Sequence, residues 1–336
     1  VIAIPAIAFR TLNHTAPSLE AELTEIDAKL ASIHQVELVG PLTGEQERKR
    51  CDLVVRLSQL GWQEMWTRRE ASVGQTMSHV KSDILRAFDW ALVNAPKEAV
   101  TIVGDGHRVF NRSDLHGDWP GMLDKAINNS RLHNKDFAEM GRAYVGVAVD
   151  RVLQKNPGAG YDAAKKAVAL FTKLGDGYKW DLANAVRHQG MCVVDVDEVK
   201  KRNRMRELYD VALKLFEADG DADRRGHAHI YLSRAQTGHE DGNDEEASEC
   251  MRSALDALRE WHAISNAELI RDSLNEVLVP LRQTAKLKGQ FVQDLKTALS
   301  TEADYWSQRD DQGRRLACLA ACVDLDNRMN DERAIA

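Results

Sequence analysis

Histidine and glutamate residues that could bind a metal ion occur between positions 227 and 240. They are His227, His229, His239 and Glu240. Two side chains that are two positions apart on a helix point in different directions, so His227 and His229 do not converge on one ion. His239 lies in the loop beyond this helix. The pattern therefore favours a polar surface, and the sequence predicts no metal ion and no other cofactor.

The acidic run at 219–223, Asp-Gly-Asp-Ala-Asp, resembles the beginning of a calcium-binding loop. An EF-hand loop has glycine at its sixth position and glutamate at its twelfth. In this chain those positions hold Arg224 and Ile230. The run is therefore interpreted as a turn between helices.

The cysteines are odd in number and show no C-x-x-C spacing. They are Cys51, Cys192, Cys250, Cys318 and Cys322. Cys318 and Cys322 share one face of a predicted helix, but no histidine nearby completes a metal site. The sequence predicts reduced, buried thiols and a cytoplasmic protein.

Two further motifs resemble sites for anionic ligands. Gly104-Asp105-Gly106-His107 is similar to a phosphate-binding loop, but it lies in a helical pattern from Glu98 to Phe110 with no strand before it. We interpret it as a place of close helix packing. The basic run at 200–206 could contact nucleic acid or an acidic partner. Its spacing favours the solvated face of a helix with Met205 and Tyr209 turned inward.

Composition excludes several classes of function. The net charge is −7 and the sequence pI is about 5.9, whereas proteins that bind nucleic-acid backbones are usually basic. The chain contains no run of 18 apolar residues, so we expect no membrane span. It also contains no G-x-S-x-G or other recognisable nucleophile motif. We therefore expect a binding protein and not an enzyme.

A small residue followed by an aliphatic one recurs at intervals of 35 to 45 residues, always within a helical pattern. The small residues are Ala91, Ala126, Ala167, Ala212, Ala254 and Ala298. An apolar residue precedes each of them by three positions, which extends one stripe of an amphipathic helix. The preceding residues are Phe88, Leu123, Ala164, Tyr209, Met251 and Leu295.

A second, shorter helix is predicted between successive stripes. It follows Leu-Gly-Asp at 174–176 in one repeat and Asp-Gly-Asp at 219–221 in the next. Glycine can end the first helix with a positive φ, and the acidic residue can cap the second. Helical hairpins of this length bury their apolar faces by stacking. The predicted fold is an all-α solenoid, a superhelix of helical hairpins.

The repeat resembles the tetratricopeptide family, most clearly over residues 211–238 and 243–258. Those segments read VALKLFEADGDADRRGHAHIYLSRAQTG and NDEEASECMRSALDAL. The resemblance implies that one helix of each hairpin lines a concave, partner-binding surface. The outward positions that it assigns are Asn184, Arg187, His188, His229, Ser233 and Gln236. We expect Arg187 and His188 to project away from the packing stripe of Ala183, Val186 and Gly190.

A second resemblance is to STAND-class signal-transduction ATPases. DILRAFDWALVN at 83–94 is similar to the NLRAALDWAL region that joins their nucleotide-binding module to a superhelical sensor. The helix at 48–66 and the segment GDWPGMLDKAI at 117–127 match the connector and the first sensor hairpin. The chain has no G-x-x-x-x-G-K-[ST] motif, so any NTPase activity would reside outside it.

These resemblances imply a division into three parts. Residues 1–40 would be an N-terminal segment, a remnant of a preceding domain; residues 41–95 a helical connector; and residues 96–336 the repeat superhelix. The implied function is a sensor module that binds a protein, a peptide or a small-molecule effector within a larger signalling assembly. The alternative is a stand-alone scaffold for protein–protein interactions.

Overall fold

The computed structural model describes residues 18–64, 70–111, 114–132 and 136–216, together with scattered positions between 226 and 326. The helices of the continuous ranges are α1 (Leu19–Val39), α2 (Gly44–Gln63), α3 (Glu70–His79), α4 (Lys81–Asn94), α5 (Pro96–Asp105), α6 (His107–Asn111), α7 (Trp119–Ile127), α8 (Ala138–Leu153), α9 (Pro157–Leu174), α10 (Lys179–Met191) and α11 (Glu198–Leu215). None of the residues described forms a strand. None of these helices combines the length and the apolar character that crossing a membrane requires.

The chain divides into two compact units, Val1–Val196 and Asp197–Ala336. Unit 1 contains α1 to α10, and unit 2 begins with α11. The predicted boundaries after residues 40 and 95 both fall between helices of unit 1. That they separate domains stays a prediction.

Helices of unit 1 form two layers. Layer A consists of α2, α5, α8 and α10, and each of these helices contacts the next. Layer B consists of α4, α7 and α9, and each packs against two successive helices of layer A. This alternation is the stacking of helical hairpins that the repeat predicts. The all-α solenoid is thereby confirmed.

The repeated alanines lie at the packing interfaces of α4, α7, α9 and α11. Ala91, Ala126, Ala167 and Ala212 are fully buried. The residues three positions before them are also buried: Phe88, Leu123, Ala164 and Tyr209. The prediction that this stripe faces the core is confirmed at these positions. Ala254 and Ala298, with their preceding residues Met251 and Leu295, lie outside the described residues.

Local sequence signals explain several helix ends. Pro96 begins α5 and Pro157 begins α9, where the missing amide hydrogen of proline costs no helical hydrogen bond. Gly175 ends α9 with a φ of 86°, which confirms the predicted positive φ. The predicted acidic cap after it is wrong. A short 3-10 helix, Asp176–Tyr178, intervenes, and the residue before α10 is Tyr178, which makes no capping bond.

The repeat register of unit 2 can be tested at neighbouring residues of α11. We expect Ala212→Trp to lower the free energy of unfolding by about 1–3 kcal/mol, because the larger ring overpacks a buried interface. Val211→Trp is the matched control: Val211 is 47% exposed, whereas Ala212 is 0% exposed. Denaturant unfolding of both variants gives the comparison. Equal stabilities would show that the register is wrong.

Candidate functional site

Charged side chains from three helices of layer A meet around Arg142. Arg142 lies on α8, and its Nε donates to Oδ1 of Asp181 on α10 at 2.9 Å. Its Nη1 donates to Oδ1 of Asp105, the last residue of α5, also at 2.9 Å. We refer to Arg142, Asp105 and Asp181 as the charge triad. A single guanidinium group thus connects three consecutive helices of the layer.

Aromatic side chains lie against the charge triad. The guanidinium carbon of Arg142 is 4.3 Å from the ring centroid of Trp62, near the end of α2. Trp180 meets Trp62 edge to face at 5.2 Å between ring centroids, and the His107 ring lies 5.9 Å from Trp62. Both tryptophans are half-buried. They combine a rigid apolar surface with a fixed orientation, as aromatic residues in binding sites commonly do.

Burial and the neighbouring charges have opposite effects on the pKa values of Arg142 and Asp105. Burial opposes the charge of Arg142, but Asp181 and then Asp105 outweigh it and raise the pKa of the guanidinium. Burial raises the pKa of Asp105 to about 6, although Arg142 lowers it. The side chains are 11%, 3% and 7% exposed for Arg142, Asp105 and Asp181, so solvent screens these charges weakly.

A second polar group is buried on α10. Nδ1 of His188 donates to the carbonyl oxygen of Asn184 at 2.8 Å. Nη2 of Arg187 donates to Nε2 of the same imidazole at 2.9 Å. Burial, followed by the positive charge of Arg187, lowers the pKa of His188 well below its ordinary value. The imidazole is therefore neutral, with its hydrogen on Nδ1.

The expectation that Arg187 and His188 project away from the packing is wrong. Asn184, Arg187 and His188 are only 2%, 7% and 6% exposed. The physical reason is that α10 packs against both α8 and α9, so a second face of the helix is covered. Replacing Arg187 and His188 by alanine would remove buried contacts and would not separate binding from folding. A role of the three residues in binding stays a prediction.

The other predicted binding residues belong to unit 2. Ser233 is half-buried and belongs to a helical segment. His229 and Gln236 lie outside the described residues. The structure therefore brings together Asn184, Arg187 and His188 on α10, and the predicted surface is described only in part.

Sequence reasoning missed the charge triad and the two tryptophans. In the sequence, Asp105 stands out only as part of the glycine-containing motif at 104–107. The triad residues are 37 and 39 positions apart in the chain, so no local pattern connects them. A signal did exist in composition, because the chain has 7 tryptophans, as many as phenylalanines, and tryptophan is enriched at binding hot spots.

Close packing at Gly104 is confirmed. A Cβ atom at this position would lie 2.3 Å from the carbonyl oxygen of Glu139 on α8. The absence of a side chain therefore lets α5 approach α8. The helical pattern at 98–110 is interrupted at Gly106, which separates α5 from α6.

The basic run at 200–206 lies on α11, as predicted, and its charges are paired. Lys200 contacts Asp197, Lys201 and Arg202 contact Glu198, Arg204 contacts Glu207, and Arg206 contacts Glu246. Tyr209 is buried and Met205 is half-buried. The prediction of a helix face with Tyr209 turned inward is confirmed, but Arg202 and Arg206 are only 15% and 20% exposed, so the basic face is solvated only in part.

The structure describes only some of the residues that the sequence analysis considers as metal ligands. Nε2 of His227 donates to the carbonyl oxygen of Phe216 at 3.2 Å. His229, His239, Glu240 and the acidic run at 219–223 lie outside the described residues. Where the structure does describe side chains, no three His, Cys, Asp or Glu residues are grouped as a metal site requires.

Cysteine burial agrees with the sequence prediction. Cys51, Cys192 and Cys250 are buried free thiols, and Cys322 is half-buried. Burial raises the pKa of Cys51 and of Cys192 to about 12 in each case. Cys318 lies outside the described residues.

Comparisons with known proteins find similarity only among solved structures. No family model matches the chain, and no curated protein matches it. The apo form of RapI is 13% identical with a TM-score of 0.43, over 77% of this chain and 96% of that one. A Rap protein in complex with competence and sporulation factor is 9% identical with a TM-score of 0.46, over 92% of this chain and 98% of that one. At this level of similarity, a shared partner does not follow.

Proposed function

We propose that this chain is a partner-binding module of helical hairpins, and that layer A of unit 1 recognises a protein or peptide segment. The observation that supports this most is the half-buried pair Trp62 and Trp180, which lies against the buried charge triad. Tryptophan side chains contribute much of the binding energy in protein interfaces. Anchors bind best when neighbouring groups hold their orientation, as Arg142 does for Trp62.

The proposed role is one of binding without catalysis. The chemistry of the cysteines supports it, because a nucleophilic cysteine needs a lowered thiol pKa. Burial instead raises the pKa of Cys51 and Cys192, so both remain protonated thiols. Buried reduced thiols are also typical of a cytoplasmic protein, which is the location that we propose.

Two finer roles are compatible with this module. One is the sensor arm of a STAND-type signalling ATPase, which would report occupancy by a protein, peptide or small-molecule effector. The other is a stand-alone scaffold, which fits the described features at least as well. The complete reading frame of the gene distinguishes them, because the sensor role requires a G-x-x-x-x-G-K-[ST] motif encoded before Val1.

The binding surface can be tested with tryptophan variants. A partner is first captured with the full chain, identified by mass spectrometry and purified, and its affinity is then measured by calorimetry. We expect Trp180→Ala to weaken binding at least tenfold, because loss of an interface anchor costs about 2 kcal/mol or more. Trp62→Ala should have a similar effect.

Trp90→Ala is the matched control for these variants. Trp90 is also half-buried, but it lies on α4 in layer B. All variants are compared at a temperature where their unfolding curves show complete folding. If the layer A variants kept their affinity and the Trp90 variant bound more weakly, the partner would bind to layer B and not to layer A.

A further inference from the structure

The charge triad buries more negative than positive charge. Asp105 and Asp181 share the single guanidinium of Arg142, and each carboxylate receives one hydrogen bond from it through Oδ1. All three side chains are nearly inaccessible to solvent. Burying a net charge is costly, and a buried carboxyl group reduces that cost by taking up a proton.

We propose that the charge triad responds to pH, in that Asp105 takes up a proton under mildly acidic conditions and thereby stabilises the packing of α5, α8 and α10. Protonation removes the excess negative charge and leaves one carboxylate paired with Arg142. The protonated carboxyl group can donate a hydrogen bond as well as accept one.

The surrounding helices carry further titratable groups. Glu139, on α8, adds negative charge near Asp105, as Asp181 does from α10. His107 of α6 donates Nδ1 to the carbonyl oxygen of Gly104 at 2.8 Å. Glu64, a buried carboxyl group, follows the last residue of α2.

Layer B helices packed on α5 carry ion pairs of their own. Asp83 of α4 contacts Arg50 at 3.2 Å, and Asp124 of α7 contacts Arg151 at 2.7 Å. The influences on Asp105 are burial, then Arg142, Glu139 and Asp181, and among them only Arg142 lowers its pKa. Burial and the two acidic neighbours prevail, so its pKa rises to about 6 from an ordinary value of 3.8.

The direction of the pH dependence follows from this rise. Between pH 3.8 and about 6 the folded protein holds a proton at Asp105 that the unfolded chain has released. The proton on Asp105 therefore contributes its full stabilisation below pH 3.8, and this stabilisation is lost as the pH rises through about 6. From pH 7 to pH 5, the site should increase the folding equilibrium constant by about tenfold.

The experiment is denaturant unfolding of the full chain at pH 7 and pH 5, for the wild type and for Asp105→Asn. From pH 7 to pH 5, we expect the folding equilibrium constant of the wild type to rise by a factor about ten times larger than the factor for Asp105→Asn. Asp162→Asn is the control, because Asp162 is exposed on α9, and it should follow the wild type. The same pH dependence in wild type and Asp105→Asn would overturn the proposal.

A titration of the folded wild type makes the test independent of the variants. Carbon NMR of aspartate-labelled protein follows the carboxyl resonance of Asp105 directly. We expect it to titrate near pH 6. If Asp105 titrated below about pH 5, it would not hold a proton at mildly acidic pH and the proposal would be wrong, even where Asp105→Asn fails to fold.

Discussion

Replacing Arg142 with methionine is expected to lower the free energy of unfolding by about 3–5 kcal/mol. The substitution preserves much of the aliphatic stem but leaves Asp105 and Asp181 buried without their shared cation. It also removes the guanidinium group that lies on the Trp62 ring. Denaturant unfolding measures this loss. It is carried out at pH 7.5, because both carboxyl groups are charged in the unfolded chain at that pH.

Arg151→Met is the control on the same helix. Arg151 contacts Asp124 and the buried Asp150, but its own side chain is 22% exposed and that of Asp124 is 46% exposed, so solvent screens its charge. Gln154 still donates to Asp150 after the substitution, so this carboxylate keeps a partner. We expect the control to lose about 1 kcal/mol or less. A combined Arg142→Met, Asp105→Asn and Asp181→Asn variant should recover part of the lost stability, because it no longer buries unpaired charge. Similar losses for Arg142→Met and Arg151→Met would show that the triad contributes little.

Gly104→Ala should also destabilise unit 1, by about 1–3 kcal/mol. The added Cβ would lie 2.3 Å from the carbonyl oxygen of Glu139 and 3.2 Å from the amide nitrogen of Ala143. Both atoms belong to the backbone of α8, so relief requires the helices to separate. Gly104 directly precedes Asp105, and separation would also lengthen the contact between Asp105 and Arg142. Thermal unfolding and denaturant unfolding measure the effect.

Gly121→Ala is the matched control for this substitution. Gly121 is also helical, on α7, and a Cβ atom there would meet no other atom within 4 Å. Alanine favours helix formation more than glycine, so this variant should be as stable as the wild type or slightly more stable. If Gly104→Ala unfolded at the same temperature as Gly121→Ala, α5 and α8 would not be in close contact.

Much of the fold could be predicted from local sequence. The alanine-centred stripe has the 3.6-residue period of a helix, and it correctly indicated the buried faces of α4, α7, α9 and α11. Glycine marked a helix end at Gly175, and the structure adds Pro96 and Pro157 as helix starts, because restricted or permissive backbone angles act at a single position.

The candidate site depends on information that periodicity does not contain. A stripe identifies one buried face of a helix, but α10 is covered by both α8 and α9, which buries Arg187 and His188 as well. Only the number and placement of neighbouring helices decides whether a second, polar face is covered.

The charge triad shows the same distinction between local and long-range information. Asp105, Arg142 and Asp181 are ordinary charged residues in the sequence, and each could equally lie on a solvated helix surface. The stacking of α5, α8 and α10 brings them within 2.9 Å and removes water from around them. The sequence by itself determined the helices and their repeating apolar stripes, since both depend on residues a few positions apart. The tertiary structure decided which charges meet and which are buried, because contacts between separate helices create that environment.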